Sequence, residues 1–126
     1  MKKIKTFADA CKALKLKSTA LPDVSMLPKK HRKSMLAYYK LIIIVEALND
    51  GWQPDWSDRN QYKYFAWFEV KADKKRPAGF GFSATAYDAW STITGAGSRL
   101  SFKTSELALY AGKQFADLYQ DYLLMS

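Results

Sequence analysis

The chain has very few of the residues from which reaction centres are built. Its 126 residues include one cysteine, Cys11, and one histidine, His31. A lone thiol cannot close an internal disulfide and fits a reducing compartment. His31 stands among Lys29, Lys30, Arg32 and Lys33, without the orienting partner and pocket that a general base needs, and is read as an exposed residue of a basic turn. With no second histidine to activate it, Cys11 is read as a small buried hydrophobe. The longest aliphatic run, Leu41 to Val45, falls far short of the roughly 18 to 20 residues of a membrane span. The opening Met1-Lys2-Lys3-Ile4-Lys5 has no apolar stretch behind it, so no signal peptide is expected and the protein is read as cytoplasmic, with no membrane partner.

Motifs for metals, cofactors and phosphates are present only as fragments. Asp55, Asp58 and Asn60 lack the alternating oxygen ligands, turn glycine and closing glutamate of a calcium loop, and are read as caps of local turns. Gly79-Phe80-Gly81 has no third glycine and leads into a strand instead of a helix, so it is not a dinucleotide fingerprint. Gly95-Ala96-Gly97 has no lysine in register for a phosphate loop and reads as a tight turn. No metal site, no cofactor and no catalytic residue is expected, and the chain is read as a non-enzyme.

Acidic residues are also nearly missing from the first quarter. Residues 1–34 hold ten Lys or Arg against two Asp, whereas residues 35–126 hold ten of each sign, so the whole net charge of +8 belongs to the amino-terminal part. Hydrophobic content of 48% and aromatic content of 15% are too high for a disordered chain. The length suits one domain, 1–126, that buries about two-thirds of its unfolded surface.

Local signals place helices at both ends and strands between them. Thr6 is an N-cap for a short helix over Phe7 to Leu14, with Asp9 in its first turn facing the helix dipole. Pro22 and Pro28 make residues 16–27 mostly connection. From Pro28 to Asn49 good helix formers follow one another, with Gly51 just beyond, where left-handed backbone is wanted. This longest helix is basic at its start and apolar on all sides later, which predicts a buried core spine. Period two then takes over. Tyr62 to Val70 is predicted as a strand, residues 72–79 as a hairpin loop, and Phe80 to Ala84 as its partner. A third strand is expected within Tyr87 to Thr94 and a fourth over Arg99 to Lys103. Thr104 caps a final helix running through Leu123. The predicted fold is α+β, a three- to four-stranded antiparallel meander with helices on one face, in the order ααβββ(β)α.

Two surfaces carry the functional reading. Lys12, Lys15, Lys17, Lys29, Lys30, Arg32 and Lys33 lie on either side of the proline-bearing connection. If the first two helices pack side by side, these charges merge into one face that attracts phosphates by counterion release; Lys74, Lys75 and Arg76 on the hairpin loop extend it. Tyr62, Tyr64, Phe68, Phe80 and Phe82 are read as core, while Phe65 and Trp67 on the opposite strand face, beside Lys63 and Lys71, are candidates for stacking bases or anchoring a protein. In Trp52-Gln53-Pro54-Asp55-Trp56, Pro54 holds two indoles at a fixed separation. Closing the bottom of the core is the plainer role and facing a ligand the sharper one. Arg99 is read as reaching a phosphate or pairing with Glu106 or Asp88.

Four segments, Ala47 to Trp56, Lys63 to Phe68, Gly97 to Thr104 and Ala111 to Phe115, together resemble a family of small uncharacterised proteins carried by phages and mobile elements of gut Bacteroidetes, crAss-like phages included. The resemblance covers roughly residues 35 to 125, leaves the basic arm mostly unmatched, and departs at Ala66, where the family pattern has proline. It implies a phage or mobile-element setting, in the cytoplasm of a bacterial host, and no catalytic residues. On these grounds the expected function is a nucleic-acid-binding accessory protein that makes non-sequence-specific phosphate contacts through the seven basic residues, with Phe65 and Trp67 stacking. The alternative is a protein-interaction module, either a virion component or an inhibitor of a host defence protein, that uses an exposed aromatic surface. A third class, capture of a small anionic ligand, requires a pocket.

Overall fold

The computed structural model describes residues 4–70, 80–88 and 96–124. Helix α1 spans Phe7–Ala13, α2 Lys29–Asn49, α3 Ser105–Gln114 and α4 Ala116–Leu123, with strands β1 Lys63–Val70 and β2 Phe80–Asp88 between α2 and α3. The protein is thus a mixed α+β fold.

The helix starts follow from short-range chemistry. Thr6 Oγ1 accepts the Asp9 N–H at 3.1 Å, and the Asp9 carboxylate accepts the N–H groups of Lys5 and Thr6 at 3.0 and 3.2 Å, a reciprocal capping box. Those bonds, the one from Lys5 foremost, hold the Asp9 carboxyl below the usual carboxylate range. Thr104 Oγ1 caps α3 by accepting the Leu107 N–H at 3.1 Å. Helix α2 ends at Asp50, in the left-handed region at φ 47°, and Gly51 follows at φ 87°. An aspartate tolerates that region better than most side chains, and glycine tolerates it freely.

Two expectations about elements need correction. The final helix is not continuous: Phe115, at φ −113° and ψ 28°, leaves helical geometry and divides it. The break lets α3 cover the strand pair while α4 lies along α2, an arrangement a straight rod could not achieve. The fourth strand expected over Arg99 to Lys103 is instead a 3-10 helix, Ser98–Leu100, followed by one bridging residue. Phe102 donates to the Tyr64 carbonyl at 2.6 Å and accepts the Tyr64 N–H at 3.0 Å. The ladder goes no further because Thr104, the next residue whose backbone would face β1, caps α3 and accepts the Ala108 N–H on its carbonyl at 3.3 Å, while Lys103 between them gives its N–H to the Asn49 side chain at 3.1 Å.

Strands β1 and β2 pair antiparallel, Tyr64 opposite Tyr87, with a register irregularity between Trp67 and Phe68. Among the described residues the sheet consists of this pair, so the three- to four-stranded meander is not established. The segment expected to hold a third strand, like the hairpin loop with Lys74, Lys75 and Arg76, lies largely outside the described residues.

The apolar core gathers between α2, α3 and one face of β1, around Leu41, Ile44, Leu48, Leu100, Phe102, Ala108 and Ala111. Cys11 joins it, and burial pushes its thiol pKa up. Asn49, itself buried, ties the core together by donating to the Ser101 carbonyl at 2.9 Å while accepting from Lys103. Tyr119 packs on Phe68 with ring centroids 4.7 Å apart, yet its buried hydroxyl has no hydrogen-bond partner among the described residues, and burial drives its pKa up. An unpaired buried hydroxyl costs stability. Tyr119→Phe is therefore expected to stabilise the protein by about 1 kcal/mol, read as a higher urea midpoint; a clear loss of stability would contradict the absence of a partner.

Candidate binding surfaces

The basic residues do not merge into one face. The Phe7 ring meets Tyr39 edge-on at 6.3 Å and carries the Lys40 ammonium at 5.6 Å. Leu14, seven residues later, lines the same cleft as Ile42, Ile43 and Glu46. Helix α1 therefore advances along α2 in the same direction, which sets Lys12 and Lys15 beside the carboxyl half of α2. Lys29 and Lys30 sit at its amino end, about 20 Å away at 1.5 Å per residue. Lys17 is exposed on the connection between the two groups.

Two of the seven cations are also engaged. Arg32 donates from Nε to the Leu27 carbonyl and from its terminal nitrogen to the Ser25 carbonyl, each at 2.9 Å, pinning the end of the connection to the first turns of α2. Lys33 pairs with Asp121 of α4 at 3.4 Å, near Ser34, whose hydroxyl donates to the Tyr122 carbonyl at 2.7 Å. His31 is exposed in the first turn of α2.

The proposed stacking pair separates as well. Phe65 is buried, and Trp67 on the same face is 51% exposed. The loop between α2 and β1 folds over the start of that face, where Lys63 is only 1% exposed, and Trp67 lies beyond it. Tyr62, expected in the core, is 52% exposed and meets Tyr87, 62% exposed, edge-on at 5.2 Å. Tyr64 packs on the core and touches both rings.

An open cleft of about 640 Å³ lies between the end of α1, the carboxyl half of α2, the loop after it and the 3-10 helix. Its walls include Leu14, Ile42, Trp52, Pro54, Trp56 and Arg99, with Glu46 and Asp50 on the α2 side. Both indoles are half-buried. They stand in the cleft wall and do not close the bottom of the core. Arg99 is exposed on the 3-10 helix instead of on a strand, and makes no ion pair among the described residues.

The loop carrying the indoles is fixed from beneath. The Lys63 ammonium lies 5.0 Å from the centroid of the Trp56 ring and donates to the Asp58 carbonyl at 3.2 Å, a cation–π contact in a place shielded from water. Ser57 gives both its hydroxyl and its N–H to Asp55 Oδ1, at 2.6 and 3.0 Å. These two bonds, hydroxyl first, hold the Asp55 carboxyl below its ordinary range, with a smaller contribution from Lys63. Asn60 donates its N–H to Asp58 Oδ1 at 2.9 Å, and Asp55 N–H reaches the Gln61 side chain at 2.6 Å. The Asp55, Asp58 and Asn60 cluster caps turns, and among the described residues no three His, Cys, Asp or Glu side chains come together as metal ligands would. Lys63→Met keeps an apolar stem while removing the charge. Amide exchange over residues 55–61 is expected to quicken by about tenfold or more, the signature of local opening; unchanged exchange would show that the loop holds without this cation.

No helix among the described residues is long and apolar enough to cross a membrane. Comparisons with protein-family models, curated proteins and solved structures returned no match.

Proposed function

We propose that the protein is a non-catalytic interaction module that seats a peptide segment of a partner protein in the tryptophan cleft. One observation carries this reading: Trp52 and Trp56, held apart by Pro54 and the second of them packed on Lys63, line an open concavity of the size and mixed character that ligand sites have. Half-buried indoles offer a large apolar area together with an N–H donor and lose little freedom on binding, which makes tryptophan a frequent anchor. A loop already ordered by its own hydrogen bonds avoids part of the ordering cost of association. Under the phage or mobile-element setting implied by the resemblance, the partner would be a virion component or a host defence protein.

The test is selection of a displayed random-peptide library on the wild-type protein, followed by binding of the enriched peptides to a Trp52→Ala, Trp56→Ala variant. The reading expects enrichment of peptides that the variant fails to bind. Equal binding by the variant, or no enrichment, would overturn it.

A further inference from the structure

We propose that a second surface, the exposed connection between α1 and α2 with the first turns of α2, docks an acidic amphipathic segment of a protein partner. It is separate from the cleft and independent of what the cleft binds. From Lys12 to Lys33 the chain carries seven Lys or Arg against one acid, Asp23, and the Asp23 carboxylate already accepts the Ser25 N–H at 2.9 Å. Lys15, Lys17, Lys29 and Lys30 are all exposed, and no ion pair engages them among the described residues.

Aliphatic side chains stand exposed along the same stretch of chain: Leu16, Leu21, Met35 and, at 93%, Met26. Met26 is displayed by a fixed turn. Arg32 grips the carbonyls on either side of it, those of Ser25 and Leu27, and Leu27 N–H closes onto the Val24 carbonyl at 3.0 Å.

This combination separates two kinds of anionic partner. A nucleic acid would use the lysines but would find no free ring to stack on, because residues 15–35 contain no Phe, Tyr or Trp and the rings next to them, Tyr38 and Tyr122, are half-buried and stacked on each other at 4.9 Å, where an open ring is what a base needs. An acidic amphipathic helix uses both features, carboxylates against the lysines and an apolar face against leucine and methionine, whose pliable side chains suit such grooves. The run from Lys15 back to Lys29 spans about 20 Å, the length of about 14 helical residues.

The experiment is fluorescence anisotropy with two labelled probes: a peptide of Glu and Leu at helical spacing, and an oligothymidylate of equal charge. Two exposed double variants are compared with wild type, Lys29→Glu with Lys30→Glu, and Leu21→Ser with Met26→Ser. Each pair is expected to weaken peptide binding by about tenfold or more, while the second pair leaves oligothymidylate binding within about twofold. Failure of the peptide to bind, indifference of its binding to Leu21→Ser with Met26→Ser, or tighter binding of the oligothymidylate would overturn the proposal, the last by assigning the lysines to phosphates.

Discussion

Trp56→Ala is expected to lower affinity for a peptide selected on this protein by at least about 30-fold, or about 2 kcal/mol. The size follows from what the indole does twice over. It supplies a wall of the cleft, and its ring receives the buried Lys63 ammonium. Truncation removes the anchor and also one of the contacts that hold the buried Lys63 ammonium, which is why the loss exceeds that of an exposed contact. Trp52→Ala removes a wall without disturbing Lys63 and is expected to cost less. Isothermal titration with one selected peptide, with the circular dichroism of each variant as a check on folding, gives the ranking. Equal losses at the two positions would mean that the Lys63 contact does not order the site.

Phe102→Ala is expected to destabilise the protein by about 3 to 5 kcal/mol, the usual cost of deleting a buried phenylalanine side chain. Against the 5 to 15 kcal/mol typical of small domains, much of the population unfolds under mild denaturant. Phe102 has no exposed surface and belongs to the main core cluster, while its backbone forms the bridge to Tyr64. The cavity would open where β1, the 3-10 helix and α3 meet, and poor collapse of such a junction keeps the cost high. A urea titration reads the effect. A loss below about 1 kcal/mol would place Phe102 outside the cooperative core.

What the sequence reveals here is what acts over a few residues. Thr6 with Asp9, Thr104 with Leu107, and the left-handed Gly51 just past α2 are local bargains between side chain and backbone that pattern alone finds; the left-handed turn already taken at Asp50 is not marked by its residue type. The inward position of Cys11 follows from helical spacing in the same way. Asn49 escapes notice because its partners, Ser101 and Lys103, lie 52 and 54 residues away. Lys63 escapes it for another reason. A lysine between two aromatics reads as a solvated strand residue until a loop folds over it and supplies a carbonyl and an indole.

The expected cationic face fails on direction. Nothing in α1 states whether it lies along α2 in the same sense or the opposite one, and that choice decides whether Lys12 and Lys15 fall near Lys29 and Lys30 or about 20 Å from them. The tryptophan cleft was half legible. The spacing around Pro54 marks two indoles held together, but the other wall comes from α1 and from Arg99, remote in sequence. Phe65 and Trp67 share a strand face yet differ in exposure because cover depends on where a neighbouring loop ends, which period two does not encode.

The chain has four tryptophans, Trp52, Trp56, Trp67 and Trp90, and their indole N–H signals can be followed separately in a nitrogen-proton correlation spectrum once each is assigned by substitution. Titrating a selected peptide into the labelled protein is predicted to shift the Trp52 and Trp56 signals together and to saturation, leaving Trp67 in place. Movement of Trp67 with Trp52 and Trp56 unmoved would contradict the cleft as the partner's seat.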